Sequence, residues 1–168
     1  MARAGVKLQV GFNRRFDANF RRVRQAVESG EIGRPALLHI ISRDPAPPPI
    51  SYVKVSGGMF LDMTIHDFDM ARWLLGEEPT VVAAFAAVLT DPEIGKAGDF
   101  DSVNVMLETP GGKQAVISNS RRATYGYDQR IEVLGSKGMA SAENQREVSV
   151  EIASGAGFVR PPLLDFFM

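Results

Sequence analysis

The stretch GGMFLDMTIHDFDMARWLLGE, residues 57–77, decides the fold, because it predicts a helix that is apolar around much of its circumference. At about 100° per residue, Asp62, His66 and Asp69 fall on one narrow stripe of this helix, between apolar borders. The apolar sectors predict that the helix is buried. Buried carboxylates and imidazoles are unfavourable unless they are paired, so the stripe requires a chemical explanation.

One explanation is general-base chemistry. Asp62 and His66 are four residues apart, so the carboxylate is expected to hydrogen-bond the imidazole, fix its tautomer and raise its basicity. That pairing is typical of a catalytic base with an orienting carboxylate. The residues alone leave two alternatives open. Asp62 could only cap the helix while His66 packs in the core, or Asp62, His66 and Asp69 could bind a metal ion. The metal alternative lacks another strong histidine ligand, since His39 lies within a predicted strand, and no metal is predicted.

Around this helix the pattern predicts one further helix and about six strands. Asp17 is expected to cap a helix that runs to about Ser29. The predicted strands cover 36–43, 80–90, 101–108, 113–121, 128–134 and 147–152, and turn sequences such as TPGGK and GSKG separate them. The proline-rich stretch 44–58 is predicted to be a loop. These elements predict an α+β domain with an open, mostly antiparallel β-sheet and helices on one face.

The composition limits the classes of function. The chain has 168 residues, of which 45% are hydrophobic and 23% charged, and its net charge of −1 argues against a nucleic-acid surface. The absence of cysteine excludes disulfides and thiolate metal sites. No signal peptide or long apolar run is present, so we expect a cytoplasmic protein that does not insert into a membrane.

Both ends of the chain resemble internal sequence. ARAGVKLQVGF, residues 2–12, predicts the end of a helix, a turn at Gly5 and a short strand over Lys7–Phe12. RPPLLDFFM at the other end begins an apolar segment without a cap. We therefore expect the chain to be either part of a longer protein or a truncated gene product.

The segment VVAAFAAVL, residues 81–89, is apolar on both faces of the predicted strand. An antiparallel sheet with one wet face should alternate between apolar and polar residues. The strand is therefore either central and covered on both sides, or its open face meets another subunit. The small alanines, including Ala84 and Ala86, would let a partner sheet approach closely, so a homo-oligomer through the sheet face is expected.

Four segments carry a resemblance to a known family: VGFNRRFD, GEIGRP, GGMFLDMTIHDFDMARWLLG and YGYDQRIEVLGSKG, in this order. Together they resemble the NAD(P)-dependent sugar and polyol dehydrogenases of the Gfo/Idh/MocA family, and most closely its inositol-oxidising members. The resemblance implies an N-terminal Rossmann domain for the nucleotide and a C-terminal α+β domain for substrate binding and oligomerisation. Residues 1–14 would be the remnant of the last Rossmann strand, and residues 15–168 the second domain, with the rest of the Rossmann half absent.

The resemblance also implies roles for individual residues. Asp62 and His66 match the family's catalytic aspartate and histidine, and the histidine would take the proton from the hydroxyl group while hydride passes to NAD or NADP. Asn13 and Arg14 match the segment that meets the nicotinamide and the substrate.

The remaining matches concern the polyol. Asp44 and Tyr127 match positions that contact its hydroxyl groups, although Tyr127 could instead pack on the sheet with its hydroxyl at the surface. Asp69 would orient the substrate or support the site. The resemblance does not decide which polyol or sugar is bound.

Two features depart from the family. The G-x-G-x-x-G fingerprint is absent, and GAGFVR at 155–160 lacks its third glycine and its strand–helix context. The catalytic lysine of an E-K-P loop is also absent from the chain. We therefore expect that this chain alone neither binds NAD tightly nor turns over. The alternative is a non-enzymatic module, either a pseudoenzyme or a sheet-mediated interaction domain.

Overall fold

The computed structural model describes residues 4–9 and 11–164. The helices are a 3₁₀ turn at Asn13–Phe16, α1 at Ala18–Glu28, α2 at Ile50–Val53, a π-helical turn at Phe60–Thr64, α3 at Ile65–Leu75 and α4 at Pro92–Lys96. The strands are β1 at Pro35–Arg43, β2 at Val81–Ala87, β3 at Ser102–Glu108, β4 at Gln114–Ser120, β5 at Asp128–Gly135, β6 at Gly138–Ala142, β7 at Ile152–Ser154 and β8 at Gly157–Val159.

Six strands form one sheet in the order β2-β3-β4-β1-β5-β6. β1 and β4 run parallel, and the other neighbouring pairs are antiparallel. α1 and α3 cover one face, where the core is made by apolar residues of the two helices and of the strands: Phe20, Val23, Met70, Leu74, Leu38, Ile40, Val105, Ile117 and Val133. The predicted fold class, an α+β domain with an open and mostly antiparallel sheet, is therefore confirmed.

Local signals account for both long helices. Asp17 accepts hydrogen bonds from the backbone N–H groups of Asn19 and Phe20, which confirms the predicted cap of α1. α3 ends where Gly76 takes φ 67°, a left-handed conformation that favours glycine, and its N–H bonds the carbonyl of Arg72. The predicted helix around Asp62, ending at Gly76, is thus present, but its first turn, Phe60–Thr64, is π-helical rather than α-helical.

Several predicted boundaries are wrong. The described residues of Lys7–Phe12 pair with no strand, so no ladder holds them extended; residue 10 lies outside the described residues. Residues 147–151 are not in a strand, and β6 was missed because GMASA has no β-branched residue, although its backbone pairs with β5 across the GSKG turn. Short helices α2 and α4 interrupt two predicted loops.

β2 is an edge strand, so the expectation of a central, doubly covered strand is wrong. Ala84 and Ala86 lie opposite Val105 and Val103, on the side that faces the helices. The open face instead carries Phe85, which is 80% exposed, together with the other exposed apolar side chains Val81, Met106, Val116, Leu37, Leu134 and Met139. The open-face alternative therefore remains.

The GAGFVR segment closes a β-hairpin between β7 and β8. No helix follows it among the described residues, which agrees with its rejection as a nucleotide fingerprint. In the described part of the chain, none of the helices has the length and hydropathy needed to cross a bilayer.

Asp101 fixes the connection that leads from β2 towards β3. It is fully buried, and it accepts hydrogen bonds of 2.8 Å from the backbone N–H groups of Leu89, Thr90 and Asp91 and one of 2.9 Å from the hydroxyl of Ser102. Burial alone would raise the pKa of Asp101, but these donors outweigh it and hold the pKa at about 2.

We predict that Asp101→Asn lowers the free energy of unfolding by about 2 kcal/mol at neutral pH, because hydrogen bonds to a buried charge are lost. The stabilisation by the charge is present above the unfolded pKa of about 3.9 and is lost as the pH falls towards the folded value. Urea unfolding at several pH values measures it. The exposed Glu93→Gln is the control, and a difference from the parent that does not shrink in acid would contradict the prediction.

Candidate active site

A cavity of about 310 Å³ opens at one end of the sheet. Asp44 follows the last residue of β1, Arg121 follows the last residue of β4, and Tyr127 precedes the first residue of β5. Asp62 from the π-helical turn and His66 from the first turn of α3 complete the wall on the helix side. The remaining lining residues are Asn13, Arg14, Ala46, Pro48, Tyr52 and Met63. Six of the seven predicted site residues therefore meet in one cavity.

Asp62 does not hydrogen-bond His66, so the predicted pairing is wrong. One oxygen of Asp62 accepts a 2.5 Å hydrogen bond from the hydroxyl of Tyr52, and the other accepts a 3.1 Å bond from Nη1 of Arg121. Arg121 is 1% exposed and also lies 3.6 Å from Asp99. A guanidinium and a phenol are stronger donors than a neutral imidazole, so they occupy the carboxylate. π-Helical turns are frequent at functional sites, and this one carries Asp62 at the cavity.

His66 is half-buried, and its Nδ1 has no hydrogen-bond partner among the described residues. Burial and then the charge of Arg14 lower the pKa of His66, while Asp67, Asp62 and Asp69 offset part of that shift. The charge of Asp62 does raise the basicity of His66, as predicted, but burial and the charge of Arg14 outweigh it, so the net shift of the pKa is downward. The neutral imidazole is favoured, which is the form that can accept a proton from a substrate.

Asp44 and Tyr127 both line the cavity and form a hydrogen-bonded pair. Burial raises the pKa of Asp44, and the bond from Tyr127 and the charges of Arg121 and Arg14 offset only part of it. A carboxyl group and a phenol that face the same cavity as an imidazole can bind neighbouring hydroxyl groups of one small ligand. Their role in substrate binding stays a prediction.

Asn13 and Arg14 both line the cavity, but their side chains differ. Arg14 is buried, forms an ion pair with the fully buried Asp67 and donates a 2.9 Å hydrogen bond to Ser42. Asn13 is exposed, and its amide makes no hydrogen bond to another described residue. Of the two, Asn13 is therefore the residue that can meet a ligand without breaking an existing contact.

Asp69 lies outside the cavity, although the helical stripe placed it beside Asp62 and His66. Its two oxygens accept hydrogen bonds of 2.8 and 2.6 Å from the guanidinium of Arg15. A direct contact with the substrate is therefore not supported, because the charged fork of Arg15 already binds both oxygens. No group of three or more His, Asp or Glu side chains in the described ranges could hold a metal ion.

Three functional candidates escaped the sequence reasoning: Tyr52, Asp67 and Arg121. Tyr52 lies in the proline-rich stretch that the sequence predicts to be a loop, and α2 presents its hydroxyl to Asp62. Asp67 falls on the apolar side of the helical wheel, which was the available signal for a buried partner. Arg121 directly follows a strand, so its charge at the sheet end could have been noticed.

Known proteins with the same sequence pattern identify the family. The family described as GFO/IDH/MocA C-terminal domain matches residues 20–141. The chain is 68% identical over 163 residues to an inositol 2-dehydrogenase of Rhizobium meliloti (strain 1021), which covers 97% of this chain and 49% of that protein. This chain therefore belongs to the Gfo/Idh/MocA family of oxidoreductases and corresponds to its C-terminal domain.

Solved structures agree with this assignment. A myo-inositol dehydrogenase from Corynebacterium glutamicum ATCC 13032 superposes with a TM-score of 0.89 at 45% identity, over 94% of this chain and 47% of that one. A scyllo-inositol dehydrogenase from Lactobacillus casei, solved with bound NAD(H) and scyllo-inositol, superposes with a TM-score of 0.80 at 35% identity. The match covers 96% of this chain and 49% of that one. The chain thus spans about half the length of the relatives it matches.

The titration of His66 is directly measurable, because the chain has two histidines and the other, His39, lies on the open face of the sheet. We expect NMR of labelled histidine rings to give His66 a midpoint below the ordinary value of about 6.5. Asp62→Asn should lower the midpoint further, since the charge of Asp62 raises the pKa of His66. Glu31→Gln, on the surface, is the control. A higher His66 midpoint in Asp62→Asn than in the parent would contradict the conclusion that the charge of Asp62 raises the pKa of His66.

Proposed function

We propose that this chain is the substrate-binding and catalytic C-terminal domain of an NAD-dependent dehydrogenase that oxidises a ring hydroxyl of inositol or a related polyol. The observation that carries the proposal is the single cavity that gathers His66, Asp44, Tyr127 and Asn13 at the sheet end. Family membership supports it, since two of the similar proteins are named as dehydrogenases of myo- and scyllo-inositol.

In this proposal His66 is the general base. Its depressed pKa leaves the imidazole neutral, so it can take the proton of the substrate hydroxyl that is oxidised. Asp44 and Tyr127 bind neighbouring hydroxyl groups and so orient the ring. Asp62 borders the same cavity, held by Tyr52 and Arg121 rather than by His66.

The described residues fit the nicotinamide end of NAD better than its pyrophosphate. The free amide of Asn13 lines the cavity and can hydrogen-bond a carboxamide. The glycine-containing segment at 155–160 is a hairpin and offers no helix N-terminus for a phosphate. When bound, NAD supplies the hydride acceptor. We therefore propose that tight nucleotide binding needs a second domain, and that this chain alone is inactive.

The proposed substrate is inositol, and the proposed cofactor is NAD, with NADP as the alternative. Inositol is favoured because the similar proteins named above are inositol dehydrogenases. The cavity of about 310 Å³ lies at the small end of the range for ligand pockets, which suits a single-ring polyol.

The first test replaces the matched half of the Rhizobium meliloti relative with this chain, which restores a two-domain protein. We predict that His66→Ala in this fusion lowers kcat by about 10²–10⁴-fold with little change in KM, because a general base is lost. His39→Ala, the other histidine of the chain, should leave kcat unchanged. The kcat and KM of both variants are measured from initial rates of inositol-dependent NADH formation, and kcat is expressed per folded enzyme.

Near-normal kcat in folded His66→Ala would end the catalytic assignment and favour a core-packing role for His66. The unfused chain, run in the same assay, is expected to show no turnover. Turnover by the unfused chain that His66→Ala abolishes would contradict the need for a second domain.

The open face of the sheet supports a role in assembly beside catalysis. Val81, Phe85 and Met106 are more than half exposed on neighbouring strands of this face. Contiguous exposed apolar surface of this kind marks interaction sites. We propose that it forms a homo-oligomer interface between sheets of two copies.

We predict that the chain sediments as an oligomer at micromolar concentrations and that Phe85→Glu shifts it towards monomer, because a buried charge disfavours the interface. Val82→Glu is a matched control: Val82 is 62% exposed on the same edge strand, but it lies on the face towards the helices. Sedimentation velocity distinguishes the outcomes. A monomeric parent, or equal dissociation by both variants, would count against the sheet interface.

A further inference from the structure

Three polar side chains form a row across the centre of the sheet, on its otherwise apolar inner face. Ser42 of β1 lies opposite Asn119 of β4 and Gln129 of β5 in the strand register. Their exposures are 0%, 2% and 4%. The next inward residues along these strands, Ile40, Ile117 and Ile131, are apolar and belong to the core. Buried polar groups are unfavourable without hydrogen-bond partners, so we looked for the groups that these three side chains bind.

The row holds a buried ion pair. Arg14 donates from Nη2 to the hydroxyl of Ser42 at 2.9 Å, and Ser42 in turn donates to Oε1 of Gln129 at 2.7 Å. The other end nitrogen of Arg14 pairs with Oδ1 of Asp67, whose Oδ2 accepts a 2.7 Å hydrogen bond from Asn119. All three strands therefore contribute to fixing one arginine and one aspartate.

The ion pair joins two segments that both reach the cavity. Asp67 directly follows His66 in α3, and Arg14 directly follows Asn13. Phe12, on the other side of Asn13, makes an edge-to-face contact with the His66 ring at 6.0 Å and 85°. Asn13 is thus flanked by two residues that are each attached to the start of α3.

We propose that Arg14 and Asp67 form a positioning clamp that fixes the amide of Asn13 relative to the imidazole of His66. The clamp rests on the proposed function, in which Asn13 meets the nicotinamide and His66 takes the substrate proton. It assigns Asp67 a role that the helical stripe did not indicate. It also makes Arg14 a positioning residue rather than a direct contact to the cofactor, because its guanidinium is already committed within the protein.

The clamp also carries charge close to the imidazole, and the two effects can be separated. The charged groups acting on His66 are Arg14, which lowers its pKa, and Asp67, Asp62 and Asp69, which raise it. Loss of Arg14 alone should therefore raise the pKa of His66, and loss of Asp67 alone should lower it. When both residues are lost, the two shifts in the pKa of His66 should largely cancel. Any remaining defect in catalysis then reports on the position of the reacting groups rather than on charge.

The test uses Arg14→Met, Asp67→Asn and the double variant, each in the two-domain fusion for kinetics and in the unfused chain for histidine NMR. The single variants should move the His66 midpoint in opposite directions, and the double variant should return it close to the parent value. In the double variant kcat should still fall by on the order of 100-fold per folded enzyme, since misplacement of reacting groups by about 1 Å costs that much.

Arg15→Met is the matched control. Arg15 is the next residue, and it pairs with Asp69 on the same helix, so its loss removes an ion pair between the same two elements outside the cavity. It should leave kcat within a few-fold of the parent. Equal losses of kcat in Arg15→Met and in the double variant would reduce the clamp to general stabilisation and overturn the proposal.

A folded double variant with kcat close to the parent value would also overturn it. If the double variant does not fold, Arg14→Lys tests the clamp instead. Lysine keeps the charge but lacks the forked guanidinium that contacts both Asp67 and Ser42. Unchanged kcat in Arg14→Lys would overturn the proposal. Failure of the proposed function gives a different result: the parent fusion would not oxidise inositol, while the opposite NMR shifts of the single variants would persist.

Discussion

The parallel pairing of β1 and β4 determines where the cavity lies. Because these strands run in the same direction, the residues that follow them, Asp44 and Arg121, emerge at the same end of the sheet. β5 runs antiparallel to β1, so its start brings Tyr127 to that end as well. α3 then needs only to place its first turn over this edge. Residues from five separate parts of the sequence thereby line one small space.

Charges at this end of the sheet are held by specific partners rather than by solvent. Arg14 pairs with Asp67, Arg15 with Asp69, and Arg121 lies between Asp62 and Asp99. Breaking a buried pair such as Arg14–Asp67 costs about 3–5 kcal/mol, so this pair strongly favours one arrangement of the segments that it joins. His66 lines the same cavity, but its buried Nδ1 has no hydrogen-bond partner among the described residues.

Much of the fold follows from local patterns. The cap at Asp17, the stop at Gly76 and the alternation in β3 and β4 each have one strong physical cause, and these four elements are present as predicted. β6 had no such cause, because its small residues form a strand only where β5 supplies the backbone partners. The site was likewise only partly predictable from local patterns. The helical stripe located Asp62 and His66, but the partners of Asp62, Tyr52 and Arg121, lie 10 and 59 residues away in sequence. No helical wheel can show that competition, which is why the predicted Asp62–His66 bond was wrong.

The central claim, that the cavity binds a polyol beside His66, is tested most directly by adding myo-inositol to the histidine-labelled chain. We expect the ring signals of His66 to shift and saturate while those of His39, on the open face, stay in place. The same addition to Asp44→Asn should need more inositol for the same shift, because a hydroxyl-binding carboxylate is lost. If His66 does not respond at inositol concentrations that saturate the two-domain fusion, or if His39 responds equally, the cavity is not the polyol site.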